Sequence, residues 1–519
     1  AQPDYPDAYN NFGNALQENQ FLEKRPEYHD AIIKLISYGQ FVRPENIVKN
    51  IIALLKLEPE IMTAIKIGLG NLDEIKFSKI ILTLSNFPLL LRIMEICPLP
   101  DLDFESLFSR LRKYFLQSET ILNDFHLEFF AHLALHCFTN EYIYYESIEE
   151  TQIVQKLEVS IETCLRLSDE PNQYDILRLA LYRPLSNYIW CKKIKFGRHL
   201  IPLRKRTIDE PFEEINIRKS VYQVAKITDP ISSKIKRQYE CYPYPRWVNT
   251  FVGTQHKNTS WLLKKLGLRF NNENFEYKRA RKVLIAGCGT GQQAIGASAR
   301  YSDSEIIAVD ISISSLAYAI RRTKELKIKN IKYLQCDILD IKKLDQEFDI
   351  IECSGVLHHM ENPTKGWLTL KSCLKPGGLM RIALYSEIAR YHISKIRSEI
   401  TQSKLDIDIK KIKDMRRKII GSKLPHHIKV TESLDFFCTS SIKDLLFNIQ
   451  EHRYTISKLK VDLDYLELDF CGFEENSLIQ EFEDFTCGDT DIFNLDKWSE
   501  FEEIYQNAFS GMYQFWCQK

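Results

Sequence analysis

The sequence predicts a doubly wound α/β sheet that follows a large N-terminal all-α region and carries a helical insertion before its last two strands. Three observations predict it. From about residue 282, short β-rich runs alternate with helical runs, the signature of parallel βαβ units. The first of these runs, Val283–Ala286, leads directly into a glycine-rich turn, Gly287-Cys288-Gly289-Thr290-Gly291. The first 205 residues instead place apolar side chains at helical spacing.

A chain of 519 residues exceeds what one core usually organises, so several domains are expected. Residues 1–205 read as helical and as a dimerisation region. Phe104, Leu107, Phe108, Leu111 and Phe115 form one apolar face, and Leu122, Phe125, Phe129, Leu133 and Cys137 form another. The segment from Asp7 to Leu16 resembles the first helix of a tetratricopeptide repeat, but no second copy follows at that family's period. Residues 206–255 read as a connector, preceded by a basic stretch at 192–206 that is either a solvated linker or a nucleic-acid patch. Residues 256–390 read as a cofactor domain, with strands at Val283–Ala286, Glu305–Val309, Ile331–Gln335, Asp349–Cys353 and Leu379–Leu384. Residues 391–460 read as a helical middle domain on the substrate side. Residues 461–519 complete the sheet with strands at Leu466–Phe473 and Met512–Trp516.

Composition bounds the function. Lys plus Arg and Asp plus Glu are both 70, a zero formal net charge that argues against a nucleic-acid partner. No apolar stretch is long enough for membrane insertion, and the opening Ala1-Gln2-Pro3-Asp4 shows no leader pattern. Thirteen cysteines occur without a Cys-x-x-Cys pair. They are expected to be reduced thiols in the cytoplasm, with no metal site.

Glycines at 287, 289 and 291 let the backbone approach a ligand closely, because no Cβ intervenes. A dinucleotide fingerprint needs a small residue at position 292 to admit a pyrophosphate, and Gln292 is bulky. The loop therefore suits a cofactor without phosphates. Asp310 ends the second strand, where a carboxylate can accept from both ribose hydroxyls. Asp337 ends the third, within reach of an adenine amine. Cys353-Ser354-Gly355 ends the fourth, and Lys375-Pro376-Gly377-Gly378 reads as the turn into the fifth. Upstream lies Tyr239-Glu240-Cys241-Tyr242-Pro243-Tyr244-Pro245-Arg246-Trp247, four aromatics stiffened by two prolines. It reads as a lid, with cation–π contacts of roughly 0.5–2 kcal/mol to a sulfonium, or as a rigid linker. Arg246 could clamp a cofactor carboxylate. His358 and His359 follow the fourth strand without a third metal ligand at suitable spacing. Tyr385 and the Glu451-His452-Arg453-Tyr454 run are further pocket candidates.

Residues 283–384 resemble the class I methyltransferases, whose Rossmann-like sheet has seven strands, the last antiparallel. The resemblance implies S-adenosylmethionine as cofactor and S-adenosylhomocysteine as product. The expected cofactor contacts are Arg246, Gly287, Cys288, Gly289, Gly291, Gln292, Asp310, Ile311, Asp337, Ile338, Cys353, Ser354 and Gly355. One departure stands out. Many members carry an acid two residues before the first glycine, where this chain has Ile285. His136–Tyr142, the Tyr-Pro-Tyr-Pro-Arg-Trp run, Gln450–Arg453 and Gly511–Trp516 are similar to segments of the rickettsial protein-lysine methyltransferases that modify outer membrane protein B. That resemblance implies a homodimer acting on lysines of a protein substrate, with Tyr239, Tyr244, Trp247 and His359 as candidate catalytic residues. A small-molecule or RNA methyltransferase, and a non-catalytic cofactor-binding assembly module, are the alternatives.

Overall fold

A computed structural model describes residues 6–519, apart from 20, 119–123, 254–265, 272–280, 403–407, 475 and 489–490. The expected boundary at 255/256 lies outside the described residues. The chain divides into two units.

The helical unit comprises Ala1–Glu213, Arg246–Thr254 and Leu405–Leu445. The helix Leu102–Gln117 starts where the Asp101 side chain accepts from the backbone N–H of Asp103 and Phe104 at 3.0 Å. It buries Phe104, Leu107, Phe108, Leu111 and Phe115, the face read from their spacing. Phe129, Leu133 and Cys137 of the helix Asp124–Thr139 are buried likewise, while Leu122 and the side chain of Phe125 lie outside the described part. The helix Ile148–Arg166 opens on a full capping box between Ser147 and Glu150. Residues 405–445, expected in a substrate-side middle domain, group with this unit for a physical reason. The buried Arg416 guanidinium forks onto the buried Glu105 carboxylate, and its Nε donates to the Phe436 carbonyl at 2.8 Å. Desolvated charges of this kind must stay together. No single described helix is long and apolar enough to cross a membrane.

The α/β unit comprises Glu214–Pro245, Gln255–Lys404 and Leu446–Lys519. Its strands are β1 (Arg281–Ala286), β2 (Ser304–Asp310), β3 (Ile331–Gln335), β4 (Phe348–Ser354), β5 (Leu374–Leu384), β6 (Asp469–Phe473) and β7 (Tyr513–Gln518). They form one seven-stranded sheet in the order β3-β2-β1-β4-β5-β7-β6. β1 to β5 are parallel, and β7 runs antiparallel to both β5 and β6. The apolar runs of β1, β2 and β4 follow from burial on both faces. Leu284, Ala286, Ile307 and Val309 pack on one side of the sheet, and Val283, Ile285, Ile306 and Ala308 on the other. Lys375–Gly378 is not a turn before β5. It is an irregularity within it, where the pairing steps from Phe348–Leu374 to Ile350–Leu379. The Gly377 N–H there donates to the Lys519 carbonyl at 2.8 Å. The β3 edge is covered by residues 222–224, whose backbone exchanges bonds of 2.8 and 2.9 Å with Gln335.

Candidate cofactor and acceptor site

The glycine loop is a bare backbone bend held to the neighbouring strand. Gly287, Gly289 and Gly291 have φ of 74°, 50° and 88°. The N–H groups of Gly287 and Cys288 both donate to the Val309 carbonyl, at 2.8 and 2.9 Å. Gly291 caps the helix Gln292–Arg300, and Cys288 is buried beneath the loop. A Cβ at Gly287 would lie 2.3 Å from Val356 Cγ2, and one at Gly289 would lie 2.6 Å from the Tyr244 carbonyl oxygen. The second clash is with backbone, which cannot rotate away. Gly289→Ala is expected to cost about 1–3 kcal/mol of stability and to weaken cofactor binding, as read by thermal melting and titration calorimetry.

The two predicted acids sit at the strand ends. Asp310 Oδ2 accepts from the Gly289 N–H at 2.8 Å and Oδ1 from the Ser312 N–H at 2.9 Å, so the carboxylate ties β2 to the loop. Burial pushes its pKa up to about 6, against the lowering effect of these two bonds. Asp337 is buried and accepts from the Leu339 N–H at 3.0 Å, ordering the turn after β3. The Ile311 carbonyl accepts from Gln335 Nε2 at 2.9 Å, and Ile338 is buried beside Asp337. Backbone glycines, a carboxylate at the end of β2, a buried acid with an apolar neighbour after β3, and open space where a Gly355 Cβ would project (φ 74°) fit an adenosyl ligand.

The aromatic segment is seated on this loop. Tyr239 lies in the last turn of the helix Pro230–Cys241, and its carbonyl accepts from Ser312 Oγ at 3.0 Å. Glu240 Oε1 and Oε2 accept from the N–H groups of Ile313 and Ser314, at 2.8 and 3.0 Å. The carboxylate therefore caps the helix Ile313–Glu325, where the helix dipole favours an anion. The Pro245 carbonyl accepts from Thr290 Oγ1 within the loop. Glu240 was not singled out by sequence; an acid beside the aromatic run was its only signal. Arg246 and Trp247 fall in the helical unit. There Arg246 lies 3.7 Å from the Glu141 carboxylate and over the Phe138 ring, and Trp247 is buried. In place of a free clamp, this arginine already has an anionic partner.

A buried acid stands next to the missing one. Ile285 pairs in register with Glu352 on β4, and Glu352 is 0% exposed. Its carboxylate accepts from Arg300 Nη2 at 2.8 Å, Tyr301 Oη at 2.7 Å and Gln293 Nε2 at 2.9 Å. Arg381 Nη1 lies 3.8 Å away and donates to Ser354 Oγ at 3.1 Å. Gln293 Nε2 also reaches Ser354 Oγ, at 3.3 Å. Burial works to raise the Glu352 pKa, but the two guanidiniums overcome it and hold the group at about 2. Sequence reading passed over Glu352, although a charge inside the apolar run Ile350–Cys353 was the available signal.

Beyond β4 lies a polar wall. His358 is 0% exposed and stacks on Tyr385 with ring centroids 4.0 Å apart. Neither of its ring nitrogens has a hydrogen-bond partner among the described residues. Burial, then the positive charge of its neighbours, holds its pKa well below the usual histidine range, so the ring is neutral. The segment after residue 446 crosses this wall. The His452 N–H donates to the His358 carbonyl at 2.7 Å, and the Tyr454 N–H to the Tyr385 carbonyl at 2.9 Å. Arg390 sits over the Tyr385 ring at 3.6 Å and pairs with the buried Glu451. Asn448, which sequence did not single out, contacts both Tyr239 and His359.

Residues 278–452 match the family model of a methyltransferase domain. The chain is 29% identical over 292 residues to the uncharacterized protein syc1184_c of a Synechococcus, covering 54% of this chain and 70% of that one. It is 30% identical over 137 residues to the ubiquinone biosynthesis O-methyltransferase of Glaesserella parasuis, covering 25% of this chain and 57% of that one. Among solved structures, PKMT2 from Rickettsia typhi in complex with AdoHcy aligns at a TM-score of 0.35 and 17% identity. That alignment covers 50% of this chain and 51% of the other, so the chain spans about half the length of that protein. With the sheet order, the glycine loop and the two strand-end acids in place, residues 278–452 are a methyltransferase domain of the S-adenosylmethionine-dependent kind.

Proposed function

We propose that this protein is a protein-lysine N-methyltransferase. The observation that carries the reading is the wall beyond β4. His358, Tyr385, His359 and Asn448 offer hydrogen-bonding groups there, and the Glu451 carboxylate is paired with Arg390. A lysine ammonium entering such a site loses solvation, which lowers its pKa and favours the free amine. The tyrosine hydroxyls are suited to orient the nitrogen lone pair. The bound cofactor supplies an electrophilic methyl group on a sulfonium. The chain supplies position, holding adenosine by the glycine loop and Asp310 and the acceptor amine in line, where most of the rate advantage arises.

The flanking segments that resemble lysine methyltransferases of outer membrane protein B support an outer membrane protein as acceptor. Within the same proposal the enzyme is a homodimer through its helical unit and works in the cytoplasm, in keeping with its free cysteines. Purified protein incubated with methyl-labelled cofactor and separate pools of lysine-rich protein, RNA and metabolites is expected to label lysine Nζ atoms of the protein pool. Label confined to RNA or metabolites would replace the reading with another methyltransferase. No label in any pool would leave a cofactor-binding assembly module.

A further inference from the structure

The acceptor side contains a hydrogen-bond chain whose direction can be worked out. His359 Nδ1 lies 2.8 Å from the Gln450 carbonyl oxygen. A carbonyl can only accept, so Nδ1 carries the proton and Nε2 presents a lone pair. Asn448 Nδ2 lies 3.4 Å from that Nε2 and 3.1 Å from the Tyr239 hydroxyl oxygen. An amide NH2 group has two hydrogens and no lone pair to offer, so it donates one to each partner. The direction therefore runs from Asn448 into both neighbours. The Tyr239 oxygen accepts from Asn448, and its own proton is turned away from the asparagine.

The chain also joins two parts of the site. The Tyr239 carbonyl and the adjacent Glu240 side chain are fastened to Ser312, Ile313 and Ser314 at the end of β2. Asn448 and Gln450 belong to the segment whose next residues bond to the loops after β4 and β5. Asn448 and His359 are each 5% exposed, so their geometry is set by packing rather than by solvent.

We propose that Asn448, held by His359 in its Nδ1–H tautomer, is a positioning residue that aims the Tyr239 hydroxyl at the acceptor amine. This rests on the lysine-methyltransferase reading for its substrate, but not for its geometry. His359 then acts as a brace. With Nδ1 already donating and Nε2 already accepting, it is not placed to take a proton from the substrate.

Asn448→Asp tests the proposal, because it keeps the shape while replacing both donors with acceptors. A carboxylate facing His359 Nε2 draws a second proton onto the ring, and Tyr239 must turn its hydroxyl inward. With poly-L-lysine as acceptor probe, kcat is expected to fall about 10–100-fold, while the Kd for S-adenosylhomocysteine by calorimetry stays within twofold. Tyr239→Phe should give a similar loss, and the double variant no further one, since the pair acts as a unit. Long-range 1H–15N spectra of histidine-labelled protein give a readout independent of any acceptor. His359 should be the Nδ1–H tautomer in the wild type and doubly protonated in Asn448→Asp at neutral pH. An Nε2–H tautomer in the wild type, or wild-type kcat in a folded Asn448→Asp, would overturn the proposal. Failure of the wild type to methylate poly-L-lysine or any protein would count against the lysine reading, and the tautomer would still decide this one.

Discussion

Replacing Asp310 by alanine is expected to weaken S-adenosylmethionine binding by roughly 100-fold or more while the sheet stays folded. The carboxylate stands at the end of β2 with one oxygen on the Gly289 N–H and the other on the Ser312 N–H. Each oxygen keeps a further lone pair for a ribose hydroxyl. Two charge-assisted hydrogen bonds, each worth about 1.5–3 kcal/mol, are lost together, and the loop loses the anchor that shapes it. Asp310 also sets a pH dependence. Burial raises its pKa to about 6, well above the 3.8 of an ordinary aspartate. Ionisation therefore works against folding between about pH 4 and 6, so this acid is kept at a cost in stability. Because the ionised form is the stronger acceptor, cofactor affinity should fall as pH drops through about 6, by up to about tenfold per unit. Calorimetry across that range on wild type and Asp310→Ala checks both. Equal affinity in the two proteins would remove Asp310 from the site.

Glu352→Ala is expected to cost about 3–5 kcal/mol of stability, the usual result of deleting one partner of a buried ion pair. The Arg300 and Arg381 guanidiniums would face each other without their shared carboxylate, and the Tyr301 hydroxyl would lose its acceptor. The pH profile has the opposite sign to that of Asp310. Despite burial, the arginines hold Glu352 at about 2, below its ordinary 4.5. The stabilisation is therefore complete above about pH 4.5 and is lost as pH falls toward 2. On the same reasoning it amounts to about 3 kcal/mol. Denaturant unfolding of wild type and variant at neutral and acid pH should show a gap that narrows on acidification. A gap independent of pH would mean the loss arises from packing instead. Through Gln293 and Ser354 the same network supports the floor at the β4 end. A weaker Glu352→Gln variant is accordingly expected to bind cofactor less tightly even where it folds.

The strands and the glycine loop were readable in the chain because their causes are local. A strand buried on both faces must be apolar, and a bend where an added Cβ would lie 2.6 Å from another residue's carbonyl oxygen admits only glycine. The acids at 310 and 337 were readable because a strand end marks where a ligand meets an open α/β sheet. Partners far apart in sequence were not. Asn448 meets Tyr239 across 209 residues, and Arg416 meets Glu105 across 311. Neither spacing carries a period. The same holds for Arg246, whose charge was free to be assigned to the cofactor until Glu141 was found beside it.

By itself, the order of residues determined the sheet and the glycine-rich loop, since each follows from local backbone geometry and side-chain size. Only the tertiary structure decided that the buried acid moves from the β1 position of Ile285 to Glu352 on β4. It also decided that the Glu240 carboxylate fastens the aromatic segment to the N-terminus of the helix Ile313–Glu325, and that residues 405–445 belong with the helices. Those outcomes depend on desolvated charges, which must be matched in space wherever their partners lie along the chain.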